Sequence, residues 1–560
     1  MNQPMIEINV GPRNLAEVIH RLEDNTKLDA TKRRDLISAV SCAANLIGRQ
    51  PFELEADVPA LRDALLKVHP KQAGITAKRL SNIKSDLGLA LRLTRAAPRQ
   101  RRSADRTDAW LSFLNSASIK HQRNQLSRLV DYCCSHWLEP DQVNDDVMSA
   151  FEAHLDASIL TKNPKEIRKD TSYAWNAVIK QNNLSFTPLV VPKADRYIAT
   201  PLNQYPVSLR ADLAKYIDRL RHADIMDEEG PDRALSETSL RNIEAHVRQF
   251  LDAACSNGFD RTDFENLSHT LRPDVMKAAV NKIQERQGGQ LTATTRNILS
   301  TLQAIAKYHV KAPDEIVNLI RKAKSKIGDV QIGMTDKNME RLAQFDDPRN
   351  IARLVTLPNE LMQWAQENSP HKRAPLRAMH AVAISILLVC PLRIKNISML
   401  DIERHLTVHR DGKHKLYTLH IPASEMKNRN PMDFVLGEQP SRHLETYLSE
   451  FRQHVSNDPG SALFPKKSGG GPRTPDNLGP DISRLIYRET GLVMNAHLFR
   501  HFSGMMYLNH NPGEFETVRQ FLGHKKLDTT MAFYARFSSK AAVKRYDEAV
   551  LSKWRGCEND

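Results

Sequence analysis

The reading of this chain turns on one stretch near its C-terminus: His497-Leu498-Phe499-Arg500-His501, then Leu522-Gly523-His524, then Tyr534. On a helix, Arg500 and His501 fall three and four residues after His497, so the three side chains lie near one side. A lone His-x-x-Arg is ordinarily a solvated polar face. Here the run continues through Phe502, Met505, Met506 and Leu508, so the helix must be largely buried, and buried charge is costly without a partner or a task. Gly523 permits a turn and close backbone approach just before His524. Leu-Gly-His alone says little. About twenty residues after His-x-x-Arg-His, and followed by Leu527, Thr529, Thr530 and Tyr534, it is specific. Arginine and histidine can cradle a phosphodiester, and a tyrosine hydroxyl can attack it.

Working outward, helical periodicity is widespread and strand-like stretches are few. The pattern predicts a mainly α chain with a small antiparallel β-sheet in its C-terminal third. Lys415-Leu-Tyr-Thr-Leu-His-Ile-Pro422 alternates, a turn cluster Asn428-Arg429-Asn430-Pro431 follows, and Met432 to Leu436 alternates again, which reads as a β-hairpin. Leu354 to Glu367 and Arg377 to Leu388 read as helices. Ala381 to Leu392 is the most apolar segment, too short to span a bilayer and better placed in a buried helix.

The 560 residues exceed what one core holds, so several domains are expected. The expected divisions are a helical domain over 1–93, a basic linker over 94–107, helical units over 108–190 and 205–327, and a C-terminal domain over 345–560. Residues 191–207 and 328–349 read as linkers between them. The first linker carries Arg95, Arg99, Arg101, Arg102 and Arg106 with Pro98. It reads either as a solvated tether or as an arm tracking a nucleic-acid backbone. In the 108–190 unit, Leu126, Leu129, Val130, Cys133, Cys134 and Trp137 mark an apolar face, with Lys120, Arg123 and Arg128 opposite. Arg99, Arg101, Arg102, Lys120, Arg123 and Arg128 are therefore the candidate DNA contacts.

Lys plus Arg exceeds Asp plus Glu by 14. That surplus is compatible with nucleic acid, and equally with a merely basic soluble protein. The six cysteines include no C-x-x-C pair and none beside a histidine at zinc-finger spacing, so reduced core cysteines are expected, without a disulfide framework or structural metal. Met1 to Val10 has no basic start followed by an apolar run, so no signal peptide is evident. A bacterial cytoplasmic location with access to the nucleoid is expected.

The His497–Tyr534 pattern resembles the active site of the tyrosine recombinases, the phage integrase family, over about residues 350–555. The units at 205–327 and 108–190 are similar to that family's core-binding domain in texture only, and the first hundred residues resemble nothing nameable. The resemblance implies a catalytic domain over 345–560 with Arg393, Lys427, His497, Arg500, His524 and Tyr534 as its catalytic set. Arg393 stands in the Leu-Arg context Cys390-Pro391-Leu392-Arg393-Ile394, and Lys427 sits at the hairpin turn, with Lys413 and Lys415 as alternatives. In the implied roles, Tyr534 attacks the phosphate, Arg393 and Arg500 bind its non-bridging oxygens, and His497 acts as base or proton relay. Lys427 protonates the leaving 5′ oxygen, His524 donates a hydrogen bond, and His501 packs and orients. No cofactor or metal is implied.

Two positions depart from the family pattern. The tyrosine usually follows the Leu-Gly-His histidine by nine residues, which here is Phe533, with Tyr534 one later and Tyr546 a remoter alternative. An acidic residue commonly follows the first arginine by three, where this chain has Asn396. Beyond Tyr534, Ala542, Val543, Tyr546, Val550, Leu551 and Trp554 form a stripe, to be packed on its own domain or docked on a neighbouring protomer. The resemblance implies a site-specific recombinase acting on double-stranded DNA through a covalent 3′-phosphotyrosine, for integration or excision of a mobile element. Its implied partners are a homotetramer with C-terminal helix exchange and accessory DNA-bending or partner recombinase proteins, without a membrane. A type IB topoisomerase-like or telomere-resolving enzyme, or a non-catalytic DNA binder, are the alternatives.

Overall fold

The computed structural model describes residues 11–96, 106–192, 197–222, 226, 233–327, 333–411, 414–426 and 429–555. The chain forms two compact units, one combining Met1–Lys193 with Thr335–Asp560 and the other Ala194–Met334. The architecture is mainly helical with one three-stranded antiparallel sheet. Among the described residues no helix is long and apolar enough to cross a membrane.

In the first unit, helices Leu15–Glu23, Ala30–Ile47, Val58–Lys67 and Ala77–Leu93 pack around Leu15, Leu36, Leu61 and Leu87. Each begins at a side chain that accepts first-turn amides, namely Asn14, Asp29, Asp57 and Thr76. A second helical group, Asp108–Ser116, Lys120–Ser135, Asp145–Ser158 and Pro164–Asn182, encloses Trp110, Phe151 and Trp175. The two groups share a seam. Leu160 enters the first core, and buried Arg62 donates to the Asp156 carbonyl at 2.8 Å and its carboxylate at 2.6 Å. Trp137 corrects the sequence reading. The helix ends at Ser135, and Trp137 lies beyond it with φ +61 and 80 % exposure, off the apolar face that its spacing suggested.

The second unit consists of Val207–Arg221, Glu237–Cys255, Pro273–Arg286, Ala293–Ile305 and Asp314–Lys326 around Phe250, Phe264 and Leu302. Helix Asp336–Ala343 lies inside the stretch expected as a linker. Met339 and Leu342 alone gave it little apolar signature, but Leu342 is buried.

The C-terminal module carries the principal helices α1 (Pro348–Glu367), α2 (Ala374–Val389) and α3 (Ile394–Ser398). Strands β1 (Leu406–Asp411), β2 (His414–Ile421) and β3 (Met432–Val435) follow. Then come α4 (Glu438–Thr446), α5 (Pro475–Thr490), α6 (Ala496–His510), α7 (Phe515–Leu522) and α8 (Leu527–Tyr546). The sheet order is β1-β2-β3, with Val408 opposite Tyr417 and Leu419 opposite Phe434. The expected hairpin is thus β2–β3, and β1 is an added partner whose charged His409-Arg410-Asp411 end obscured its alternation. From Ala378 to Leu387 every residue of α2 is buried.

The N-terminal helices meet this module at the end of α5. Gln72 Nε2 donates to the Thr490 carbonyl at 2.8 Å, and Arg353 Nη1 donates to Gln72 Oε1 at 2.8 Å. His69 packs edge-on against Tyr487 with ring centroids 5.0 Å apart. Gly491 caps α5 at φ +79, and a Cβ there would stand 2.6 Å from Gln72 Cγ and 2.7 Å from His69 Nδ1.

Candidate active site

Helix α6 starts at Asn495, whose side chain accepts the Leu498 amide. From that fixed start it presents His497 outward and Arg500 and His501 inward, both 4 % exposed. The Arg500 guanidinium is bonded to main chain at both of its terminal nitrogens. Nη1 donates to the Pro391 carbonyl and Nη2 to the Leu522 carbonyl, each at 2.5 Å. It therefore ties the end of α2 to the end of α7, drawing Leu392-Arg393 and Gly523-His524 to one place. Burial, then the neighbouring Arg393 charge, lowers its pKa to about 10.

Arg393 is the N-cap of α3 and is half-buried. Among the described residues its guanidinium makes no hydrogen bond, and desolvation lowers its pKa. Asn396, three residues on, donates its amide to the Glu425 carbonyl at 3.1 Å. Where the family has an acid, an amide thus fastens α3 to the β2–β3 connection. That connection also reaches the Leu-Gly-His turn. Gly523 has φ +63, and a Cβ there would stand 2.9 Å from Met432 Sδ, so glycine is required by backbone and neighbour alike. Lys427 lies outside the described residues, as does Lys413. Met426, which precedes Lys427 in the chain, and Met432, at the start of β3, both approach Gly523. Lys415 is on β2 and pairs with Glu445 at 2.6 Å.

His524 is set by Thr530, whose fully buried hydroxyl lies 2.9 Å from Nδ1. Burial, then Arg500 and Arg393, lowers its pKa to about 4. His497 is also lowered, by desolvation first and then by Arg500 and Arg393. No carboxylate is among the groups that shift Arg393, His497 and Arg500. The result is a desolvated cationic hollow suited to an anion.

Tyr534, on α8, is 1 % exposed. Its hydroxyl lies 3.0 Å from His501 Nδ1 and 3.4 Å from the Arg500 carbonyl. Burial raises its pKa, against a smaller opposite pull from Arg500. His501 is held neutral, its pKa lowered to about 3 by burial, then by His497 and Arg500. Phe533 stacks on His501 at 5.6 Å, and His497 meets His501 edge-on at 4.8 Å. So the tyrosine hydroxyl meets His501, which sits between it and His497. Gly504 makes room for the tyrosine, since a Cβ there would stand 2.8 Å from Tyr534 Cε1. Thr530, Gly504 and the two carbonyls that hold Arg500 escaped the sequence reading. Thr530 stood inside the motif, but nothing local marked it as buried.

Of the candidate DNA contacts, Lys120, Arg123 and Arg128 are not part of this cluster. Arg99, Arg101 and Arg102 lie outside the described residues. Lys120, Arg123 and Arg128 are exposed on their helix, with Arg123 Nε donating to the Ala117 carbonyl at 2.7 Å.

Residues 357–540 match the model of the phage integrase family. No curated protein matches the chain significantly. Among solved structures, the XerH site-specific recombinase bound to a palindromic difH substrate is 18 % identical, covering 63 % of this chain and 86 % of that one, with a TM-score of 0.39. A lambda integrase dimer bound to a COC′ core site is 15 % identical, covering 68 % and 89 %, with a TM-score of 0.34. The Tn1549 transposon integrase in complex with transposon right end DNA is 15 % identical, covering 56 % and 94 %, with a TM-score of 0.33. The motif residues lie within the matched segment, and by that match the chain carries a phage integrase family domain over residues 357–540.

Proposed function

We propose that this chain cuts and rejoins double-stranded DNA at a specific site through a 3′-phosphotyrosine on Tyr534, serving integration or excision of a mobile element. The observation that carries the reading is the convergence of Arg393, its guanidinium without a hydrogen bond among the described residues, on the Arg500–His497–His524 hollow beside a tyrosine hydroxyl. In the proposed step, Tyr534 Oη bonds to phosphorus and the P–O5′ bond breaks. The tyrosine proton passes to the His501–His497 pair, and Lys427 protonates O5′. Arg393 and the His524 imidazole meet the phosphate oxygens, and Arg500 adds fixed positive charge. The reverse sequence, with a different 5′ hydroxyl, rejoins the strands.

The division into 1–93, 94–107, 108–190, 205–327 and 345–560 stands as part of this proposal, with 205–327 and 108–190 gripping DNA as Lys120, Arg123 and Arg128 would allow. So does assembly of four copies on DNA. Val543, Tyr546 and Val550 of the C-terminal stripe are 67 %, 55 % and 41 % exposed, so these three are unburied in their own chain. A cavity of about 580 Å³ lined by Val355, Val389, Phe502, Met506 and Phe521 offers an apolar acceptor for that stripe from another copy.

Covalent trapping tests the reading. Wild type and Tyr534→Phe are incubated with nicked DNA carrying the element's terminal sequence, then denatured. An adduct formed by wild type and absent from Tyr534→Phe is expected. An adduct that survives the substitution moves the nucleophile elsewhere, Tyr546 first. Binding without any adduct would sink the enzymatic reading in favour of a binder.

A further inference from the structure

A second cluster of cationic side chains lies outside the Arg393–Tyr534 cluster, in the loop Lys466-Lys-Ser-Gly-Gly-Gly-Pro-Arg473 that leads into α5. Lys466, Lys467, Ser468, Arg473, Asn457 and Asn477 line a cavity of about 510 Å³. Three of the six are cationic and none is a carboxylate.

The loop is built rather than slack. Pro465 and Pro472 form an isolated β-bridge, Lys466 N donates to the Gly471 carbonyl at 3.0 Å, and Arg473 N donates to the Phe464 carbonyl at 2.7 Å. Gly469, Gly470 and Gly471 all have positive φ, a succession that other residues rarely adopt. At Gly469 a Cβ would also stand 3.0 Å from Asp458 Cβ. Three consecutive glycines leave that turn without side chains, as a loop that admits an anion requires. The Nη1 atom of Arg473 is shut from solvent without a hydrogen bond, although Asp481 Oδ2 lies 3.3 Å away. Nη1 thus has an ion-pair partner but no hydrogen bond, and beside two lysines it keeps donor capacity for a further oxyanion. Asp481 also pairs with Arg484 at 2.5 Å, while Asp458 and Asp476 are exposed outside the lining.

The cavity is anchored to the segment that carries Arg393. Leu463 N donates to the Leu400 carbonyl at 2.8 Å, and Ile402 N to the Ser461 carbonyl at 2.8 Å. On α5, Gly479 lies so close to Ile394 that a Cβ would stand 3.3 Å from its Cγ1. Whatever the loop holds is therefore fixed in register with Arg393.

We infer that the Lys466–Arg473 loop is a phosphate-binding notch that grips a DNA backbone phosphate other than the one cleaved, setting the register of the duplex on Arg393. The choice of DNA as the source of that phosphate rests on the recombinase reading, whereas the notch itself does not. The test compares the full chain with Lys466→Ala/Lys467→Ala, and with Lys372→Ala/Arg373→Ala, which removes the same charge outside the cavity. Binding to a duplex is followed across a salt series. The notch variant is expected to lose about tenfold in affinity at moderate salt, with the salt slope shallower by about one to two, roughly one per lost phosphate contact. The control is expected to lose less. Should the lysine variant fail to fold, the near-isosteric Asn477→Asp places an anion in the same cavity and is expected to weaken binding likewise.

Titration with inorganic tripolyphosphate separates the sources. Tight binding by wild type, lost in the notch variant while DNA affinity and slope are unchanged, overturns the DNA assignment in favour of a free polyphosphate. Unchanged slope without polyphosphate binding overturns the notch. The covalent-adduct assay reads Tyr534 and not the notch, so the two readings fail separately.

Discussion

Arg500 and Arg393 sit at the same hollow and are used in opposite ways. Arg500 is buried and bonded to the carbonyls of Pro391 and Leu522, so its charge is delivered from a fixed frame that it also builds. Arg393 is half-buried and, among the described residues, its guanidinium carries no hydrogen bond, so its side-chain donors are open to a ligand. The difference teaches that a residue pair shared by motif need not be shared by role. One arginine assembles the site, and the other waits in it.

The comparison is most easily broken by substitution. Arg500→Ala should abolish cleavage and also lower stability by about 3–5 kcal/mol, because two buried carbonyls lose charged partners. Arg393→Ala should cut cleavage by about 10²–10³-fold yet keep stability within about 0.5 kcal/mol. Thermal melts beside trapping assays decide, and equal loss of stability in the two variants would refute the division of roles. Gly504→Ala should cost about 1–3 kcal/mol by overpacking against the Tyr534 ring. The cost should shrink in a Tyr534→Leu background, and a double-mutant cycle showing strict additivity would reject that contact. Thr530→Val removes the partner of His524 Nδ1. A loss of about tenfold in cleavage with about 1 kcal/mol in stability is expected, read as a fall in the adduct-forming rate with DNA affinity unchanged.

A further effect is on acid stability. His501 and His524 titrate in the folded chain at about 3 and about 4, below the ordinary 6.5. As pH falls, the unfolded chain takes up protons first, so their contribution is whole above about 6.5 and is lost progressively toward 4 and 3. Tm should decline through that window, and more gently in His501→Gln. An equal decline in both proteins would show that other groups govern it.

Much of the C-terminal module could be read from the chain: His497, Arg500, His524 and Tyr534 stand close together in sequence, and the family resemblance added Arg393, which lies by them in the structure. The extended pattern also found β2, β3, α1 and α2 within a few residues. What escaped was set by distant partners. β1 becomes a strand because β2 pairs with it, and the helix Asp336–Ala343 becomes one because Leu342 is buried. Trp137 continues the spacing of Val130 and Cys133, yet the chain has left the helix at Ser135. His501 was read as a packing residue. Its contact with the tyrosine hydroxyl depends on where α8 lies, which no local pattern records.

Gly491 has a consequence for the history of this architecture. Its backbone, at φ +79, tolerates glycine or asparagine, but His69 and Gln72 occupy the space an asparagine would need. Relatives that keep the N-terminal helices docked at this corner should therefore hold glycine at the equivalent position, and relatives that have shed them should be free to drift to asparagine. A residue without a side chain would then record, across a lineage, whether the two parts of the protein have stayed together.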